Sequence, residues 1–346
     1  MARGGRSILG KSTIRDVAKL AGVSISTVSR ILNNHERVRN ISEEVRSHVL
    51  SCARELDYVP NANARRVFAH RSWIVGLLIP SYHRMRLHIF EDGHLCRLLS
   101  GLEEGLSEGP YRLLLLFNDE RFRARREYVS LLQSQAIDGL LVWGAQPHET
   151  YWSETLAQRL PLLFLVTVPG TLEQGWRYIV SDTPTSIRAA FESLLAQGHR
   201  RLLFLHPAPS QAVFVEQQMT AALPALRREH PEAVIEEWTA RDDKLQPLEL
   251  ELFGRPESPT ALVAYNYSLA RHASRQLLAA GLRLPQDIEV LSGYSYSKGP
   301  RLLPQVVVDD FAIGRQAAQD IQQLIDQPEL TVSRRLPATL LPRETV

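Results

Sequence analysis

The sequence predicts an all-α N-terminal segment containing a helix-turn-helix, followed by an α/β core built on doubly wound parallel sheet. Three observations lead there. Helical periodicity with turn and cap residues runs through the first part of the chain. From Trp73 onward, short apolar runs alternate with longer amphipathic stretches. Positive charge is gathered at the N-terminal end.

The first helix is read over Ile14–Leu20, where Ile14, Val17, Ala18 and Ala21 recur at i, i+3, i+4 and i+7. Gly22 then suits the positive φ of a tight turn, and Ser24 is a good N-cap for a second helix. That helix, Ile25–Leu32, buries Val28 and Ile31 and turns Ile25, Ser26, Ser29 and Arg30 elsewhere. Two short helices joined by a Gly-containing turn, the second displaying small polar residues and an Arg, make a helix-turn-helix. A third helix begins at Ser42, with Glu43 and Glu44 favourably placed in its first turn. Its stripe of Val45, Val49, Cys52, Ala53 and Leu56 makes Cys52 a small core residue.

In the rest of the chain, strands are expected at Ile74–Ile79, Arg112–Phe117, Gly139–Trp143, Leu162–Val166, Arg201–Leu205, Ala261–Ala264 and Glu289–Leu291. Helices are expected near 93–107, 122–135, 185–197, 211–229, 267–280 and 311–326. Strands alternating with helices of this length build parallel, doubly wound sheets.

Charge and composition narrow the function. The chain of 346 residues is 44% hydrophobic and 23% charged, ordinary globular values. The net charge of +2 conceals a split: residues 1–71 hold 13 Lys and Arg against 6 Asp and Glu, and the remainder 27 against 32. A basic end on an acidic body points to a polyanion partner at the N-terminus. Apolar stretches such as Leu160–Pro169 and Ile74–Pro80 fall short of the about 18 residues a membrane span needs. The start, MARGGRSILGKS, has no apolar secretory core, and the two cysteines, Cys52 and Cys96, imply no disulfide framework; a cytoplasmic, nucleoid-associated protein is expected. Gly5–Ser12 matches G-x-x-x-x-G-K-[ST], but no strand precedes it to deliver the glycines to a phosphate, so it is read as a flexible basic arm. Gly293-Tyr-Ser-Tyr-Ser297 lacks the second glycine of a nucleophile elbow. Neither a catalytic centre nor a cofactor is expected.

The segments TIRDVAKLAGVSISTVSRILNN and VRNISEEVRSHVLSCARELDYVPNANARR resemble the DNA-binding headpiece and hinge of the LacI/GalR family of bacterial repressors, nearly continuously from Thr13 to Arg66. The resemblance implies base reading by Ile25, Ser26 and Arg30. Arg30 has the fork to grip guanine O6/N7, and Ile25 can meet a thymine methyl. Ser24, Thr27, Ser29 and Asn33 are expected to hold phosphates and register. It further implies a hinge helix in the minor groove, formed when two subunits meet, with contacts from Asn61, Ala64, Arg65 and Arg66. Val67 stands where the family usually has a leucine wedge, with Phe68 beside it; a valine would wedge less deeply.

More loosely, IVGLLIPS, AIDGLLVWG, QGHRRLLFL, SPTALVAYN, AAGLRLPQDIEVLSGY and LPATLLPRETV follow the family's order. They imply a periplasmic-binding-protein-like core of two subdomains joined by three crossovers, with an effector cleft between them. The expected organisation is an arm at 1–11, a helix-turn-helix domain at 12–59, a hinge at 60–71, and an effector-binding and dimerisation core at 72–346. Within the core the N-subdomain would take about 73–180 and 308–330, and the C-subdomain about 181–305 and 333–346.

The family's effector positions fall on His94, Val215, Asn266, Tyr267, Tyr294 and Ser295. Several depart from its pattern. Val215 to Met219 lacks the usual ligand-holding Arg, Asn266-Tyr267 replaces Asn-Asp, and Gly293-Tyr294-Ser295-Tyr296 replaces a pair of carboxylates. Arg and carboxylate groups grip sugar hydroxyls by charge-assisted bonds, so a conventional sugar mode is disfavoured. Tyr267, Tyr294 and Tyr296 offer faces on which a ring could stack, with a vestigial cleft as the alternative. His83, His88, Asp92, His94 and Cys96 carry metal-ligating groups, but their irregular spacing favours a solvated loop at the cleft rim.

A sequence-specific regulator follows, most simply a repressor that binds a pseudo-palindromic operator as a homodimer and responds to a small molecule. With no heptad tail before Val346, a dimer is expected rather than a coiled-coil tetramer. A cytosolic binding module and a nucleotide-driven regulator are the alternatives.

Overall fold

The computed structural model describes residues 12–32, 41–59, 71–81, 89–146, 149–207, 220–240, 253, 255–295 and 301–344. The chain divides into two compact units, residues 1–72 and 73–346.

In the first unit, α1 (Ile14–Ala21) opens on a capping box. Thr13 Oγ1 accepts from Asp16 N, and Asp16 Oδ2 accepts from Thr13 N at 2.8 Å. These bonds hold the Asp16 carboxyl below its usual range. Gly22 ends the helix at φ 64, a conformation a side chain would strain. Ser24 Oγ accepts from Thr27 N at 3.1 Å and so caps α2 (Ile25–Leu32). Ser42 caps α3 (Glu43–Glu55) in the same way. Val17, Val28 and Val49 are fully enclosed at the centre, joined by Ile31, Ala53 and Cys52. Ser12 Oγ donates to Leu56 O at 2.7 Å and ties the start of the unit to the end of α3.

Among the described residues, the second unit holds two six-stranded sheets. The first comprises β1 (Ile74–Pro80), β2 (Arg112–Asn118), β3 (Gly139–Trp143), β4 (Leu162–Leu165), β5 (Tyr178–Ser181) and, from far along the chain, β11 (Ser333–Leu336). Its order is β11-β5-β4-β3-β1-β2 and every pair is parallel. The second comprises β6 (Arg201–Pro207), β7 (Val234–Ala240), β8 (Ala261–Ala264), β9 (Glu289–Ser295), β10 (Gln305–Val307) and β12 (Thr339–Leu341), in the order β12-β10-β9-β8-β6-β7. Among the described residues, only its β10–β12 pair is antiparallel. Both sheets reverse strand order beside their first strand, and doubly wound sheets generally hold ligands outside the C-terminal strand ends at such a point.

On one face of the first sheet, α4 (Gly93–Ser107) packs against α11 (Asp310–Asp326). Glycines let the two backbones meet: a Cβ on Gly101 would lie 2.1 Å from Phe311 O, and one on Gly314 would lie 2.2 Å from Leu98 O. The other face is covered by α5 (Glu120–Ala124), α6 (Glu127–Gln133) and α7 (Ser153–Gln158), around Trp152 and Phe164. The second sheet carries α8 (Thr183–Ala196), α9 (Leu223–Glu229) and α10 (Tyr267–Ala279).

Three expectations need correction. The helix read over 122–135 is two helices, because Arg126 takes a left-handed φ of 51 and breaks the path. Residues 333–336, assigned to the C-subdomain, are β11 and pair with β5 in the first sheet. The third crossover therefore falls between Leu336 and Thr339, where β12 joins the second sheet. The second sheet also extends past residue 305, since β10 runs to Val307. Of the helix read over 211–229, the stretch to Met219 lies outside the described residues, and a turn at 221–222 interrupts the rest before α9.

Candidate functional site

In the first unit, burial of Val28 and Ile31 fixes which face of α2 is presented to solvent. Ser24, Ile25, Ser26 and Arg30 are exposed, and Thr27 and Ser29 are half-buried. Ile25 is 45% exposed and leaves apolar surface in water, a cost with no folding return. The hydroxyls of Ser26 and Thr27 each lie 2.8 Å from Ser24 Oγ. The three form one cluster at the N-terminal end of α2, where unpaired backbone N–H groups favour an anion such as a phosphate. The Arg30 side chain has no hydrogen-bond or ion-pair partner among the described residues, so its guanidinium is available to a ligand. Asn33, Asn61, Ala64, Arg65, Arg66, Val67 and Phe68 lie outside the described residues.

In the second unit, the structure brings His94 and Tyr294 together from different lobes. His94 stands in the first turn of α4, and Tyr294 is next to last in β9. Their rings lie 4.8 Å apart and tilted by 31°. Beneath them, Asp310 at the start of α11 is fully buried, and its Oδ2 lies 2.7 Å from His94 Nδ1. Burial pushes the Asp310 carboxyl up, reinforced by nearby Asp92 and opposed by His94 and Arg97. Burial likewise raises the Tyr294 phenol, with the charges of Asp310 and Asp92 adding to it.

The remaining candidates are held internally. Asn266 Oδ1 accepts from Leu269 N at 2.9 Å as the cap of α10, and Tyr267, half-buried, is the first residue of that helix. Ser295 Oγ donates to Gln305 Oε1 at 2.9 Å in a buried pair. Tyr294 belongs to the core of the second lobe rather than lying open for a ring to stack on. Val215 and Tyr296 lie outside the described residues. Of the groups considered for a metal, Asp92 caps α4, accepting from His94 N at 2.8 Å, and Cys96 Sγ contacts Phe90 O. No cluster of three or more such groups occurs among the described residues, and His83 and His88 fall outside them.

Sequence reasoning missed Asp310, Trp143 and Thr167, which stand at the same end of the first sheet and of the helix packed on it. Asp309 and Asp310 read alike as acids at a helix start, yet only Asp309 caps α11, by accepting from Ala312 N. Asp310 faces inward instead. Trp143 ends β3, and Thr167 follows β4 by two residues. Between β4 and Thr167, Val166 adopts φ 70, an outlier for a β-branched residue, and packs against the cores of both lobes. None of these positions carries a motif.

An exposed, arginine-bearing helix in a helix-turn-helix, on one chain with a two-lobed parallel α/β unit, defines a DNA-binding transcriptional regulator. Comparison with known proteins agrees. The family profile "Bacterial regulatory proteins, lacI family" matches residues 13–61, and "Periplasmic binding protein-like domain" matches residues 191–346. The HTH-type transcriptional repressor PurR of Pectobacterium carotovorum is 30% identical over 296 residues, covering 82% of this chain and 80% of that protein. The ribose operon repressor of Bacillus subtilis is 26% identical over 339 residues, covering 96% and 98%. Among solved structures, the lac repressor dimer bound to operator and the anti-inducer ONPF superposes with a TM-score of 0.73 at 22% identity, over 96% of this chain and 98% of that one. The chain belongs to the lacI family of bacterial regulatory proteins. Among the described residues no helix is long and apolar enough to cross a membrane.

Proposed function

We propose that this regulator is a cytoplasmic repressor and not an enzyme, binding a pseudo-palindromic operator as a homodimer and modulated by a small molecule between the lobes of the second unit. The observation that carries the reading is the outward face of α2, where Ile25, Ser26 and Arg30 stand clear of the core that Val28 and Ile31 fill. In this reading each subunit's α2 enters the major groove of one half-site, so the operator repeats the protein's two-fold symmetry. Arg30 grips a guanine, Ile25 meets a thymine methyl, and the hydroxyls of Ser24, Thr27 and Ser29, with Asn33, hold phosphate. Asn61, Ala64, Arg65 and Val67 would contact the minor groove. Relatives named as repressors support the sign of regulation.

Selection of bound duplexes from a random pool, followed by binding over a salt series, tests this. A palindromic consensus and an affinity falling steeply with salt are expected. Arg30→Ala should cost about 1–3 kcal/mol and relax one position of each half-site. A loss spread evenly over all sequences would show that Arg30 holds only phosphate. A second reading, a regulator with a vestigial effector site, is favoured by the internal bonds of Asn266 and Ser295. Binding to the selected operator that no metabolite alters would support it.

A further inference from the structure

The polar groups of the second lobe's candidate residues, Asn266 and Ser295, are engaged within the lobe itself. The first lobe differs. Among the described residues, Trp143 Nε1, Thr167 Oγ1 and Asp310 Oδ1 are buried without a hydrogen-bond partner. All three residues are more than nine-tenths buried. They share one end of one sheet. Trp143 closes β3, Thr167 lies just beyond the neighbouring strand β4, with Trp143 in register with Leu165, and Asp310 opens the helix whose Ile313 packs in one core with Trp143. Buried polar groups are nearly always paired, and a set of orphans at the C-terminal end of a parallel sheet is where such folds hold ligands.

We propose that the effector is read chiefly by this wall of the first lobe, through Asp310, Trp143 and Thr167, and that it is a neutral or cationic hydrogen-bond donor rather than an anion. The proposal rests on the effector-regulated reading above and specifies its chemistry. Asp310 is the selective element. Its Oδ2 faces His94, so Oδ1 remains to accept from a ligand hydroxyl or amine, while Trp143 N–H can donate to a ligand oxygen or ring nitrogen. Thr167 can do either. The N-terminal ends of α4 and α11 would otherwise attract an anion, but Asp92 and Asp309 already cap them. The titratable groups set around Asp310 are His94, Asp92 and Arg97, with the Tyr294 phenol covering the group from the other lobe. Arg97, whose Nε is also buried and unpaired among the described residues, is the one guanidinium beside the two carboxylates Asp310 and Asp92, so an anion would meet more negative charge than positive.

Thermal melts of the full-length protein test the proposal in two arms. In ligand-free protein, Thr167→Val keeps the side-chain shape and removes an unpaired hydroxyl, so the midpoint should rise by about 1–2 °C. A fall of several degrees would show that the hydroxyl supports the fold and would overturn the assignment. In the second arm, neutral polyols, amines and anionic metabolites are screened, represented by D-ribose, putrescine and D-ribose 5-phosphate. The stabilising compounds should be neutral or cationic, and Asp310→Asn should weaken their apparent affinity at least tenfold. Stabilisation by anions, or a stabilising shift that survives Asp310→Asn, would overturn the proposal while leaving effector regulation intact. A screen in which nothing stabilises the wild-type protein would remove the effector reading and the proposal together.

Discussion

Gly101→Ala tests whether the close crossing of α4 and α11 holds His94 against Asp310. The added Cβ would lie 2.1 Å from Phe311 O, 2.9 Å from Phe311 C and 3.0 Å from Arg315 N. A carbon rarely approaches a carbonyl oxygen closer than about 3.3 Å, so the helices must part by about 1 Å. All three neighbours are backbone atoms, and no rotamer change relieves the clash. Overpacking of this kind costs typically about 1–3 kcal/mol, and a backbone clash belongs at the upper end. Alanine's better helix propensity returns about 1 kcal/mol, leaving a loss of about 2 kcal/mol. For a unit of this size that corresponds to a fall of roughly 4–8 °C in melting temperature, read by circular dichroism on the full-length protein. Gly109→Ala is the control, because its Cβ would meet the flexible end of Gln322 at 3.3 Å and Leu106 O only at an ordinary 3.9 Å. A Gly101→Ala midpoint within about 1 °C of wild type would refute the reasoning, since the crossing would then tolerate the separation it is argued to forbid.

Two further outcomes are expected. Because burial raises the Asp310 carboxyl above its unfolded value, its contribution to stability is fully present below the ordinary carboxylate range and is lost as pH rises through the folded value. The melting temperature of wild type relative to Asp310→Asn should therefore improve as pH falls from neutrality toward 4. The opposite trend would mean that the His94 contact, not desolvation, governs the carboxylate. Arg334→Met should destabilise the second unit by about 3 kcal/mol, the low end for breaking a buried pair, because Arg334 is 44% exposed whereas Asp320 is wholly enclosed. Arg334 reaches Asp320 with two nitrogens, at 2.5 and 2.9 Å, and without them the carboxylate keeps the side-chain amide of Gln316. Urea denaturation measures the loss, and an unchanged midpoint would show that the pair adds nothing.

Elements whose own residues determine them were legible in the sequence. The Gly22 turn, the Ser24 cap and the Val28–Ile31 face fix the position of α2 locally, and β3 and β8 begin and end where their apolar runs do. The features that escaped the reading depend on distant partners. β11 reads Ser-Arg-Arg-Leu, with no apolar run; it is a strand because β5 offers it an edge and Asp320 takes Arg334. β7 carries Glu236 and Glu237 and leaves Val234 in water, as an edge strand can. At the candidate site, similarity to family positions pointed to His94 and Tyr294 but not to Asp310, whose inward direction depends on the neighbouring Asp309 taking the cap.

The position of Asp310 also bears on how the two lobes would communicate. Each crossover between the sheets is short: Asp182 follows β5, Val308 follows β10, and Pro337 follows β11. They are bonded to their surroundings, Asp182 N to Leu336 O at 2.8 Å and Val308 N to Ser295 O at 2.9 Å. A rotation of one lobe against the other must turn through these few residues, as in hinge closure. Asp310 lies two residues beyond Val308, and Val166 holds its strained φ where both cores meet. A ligand bound at Asp310, as proposed above, would therefore act beside a hinge rather than at the tip of a lobe. The coupling it can deliver is bounded by its difference in affinity between the two lobe arrangements. That difference is largest for a contact one arrangement makes and the other lacks, and Asp310 beneath Tyr294, across the lobe boundary, is placed to be such a contact.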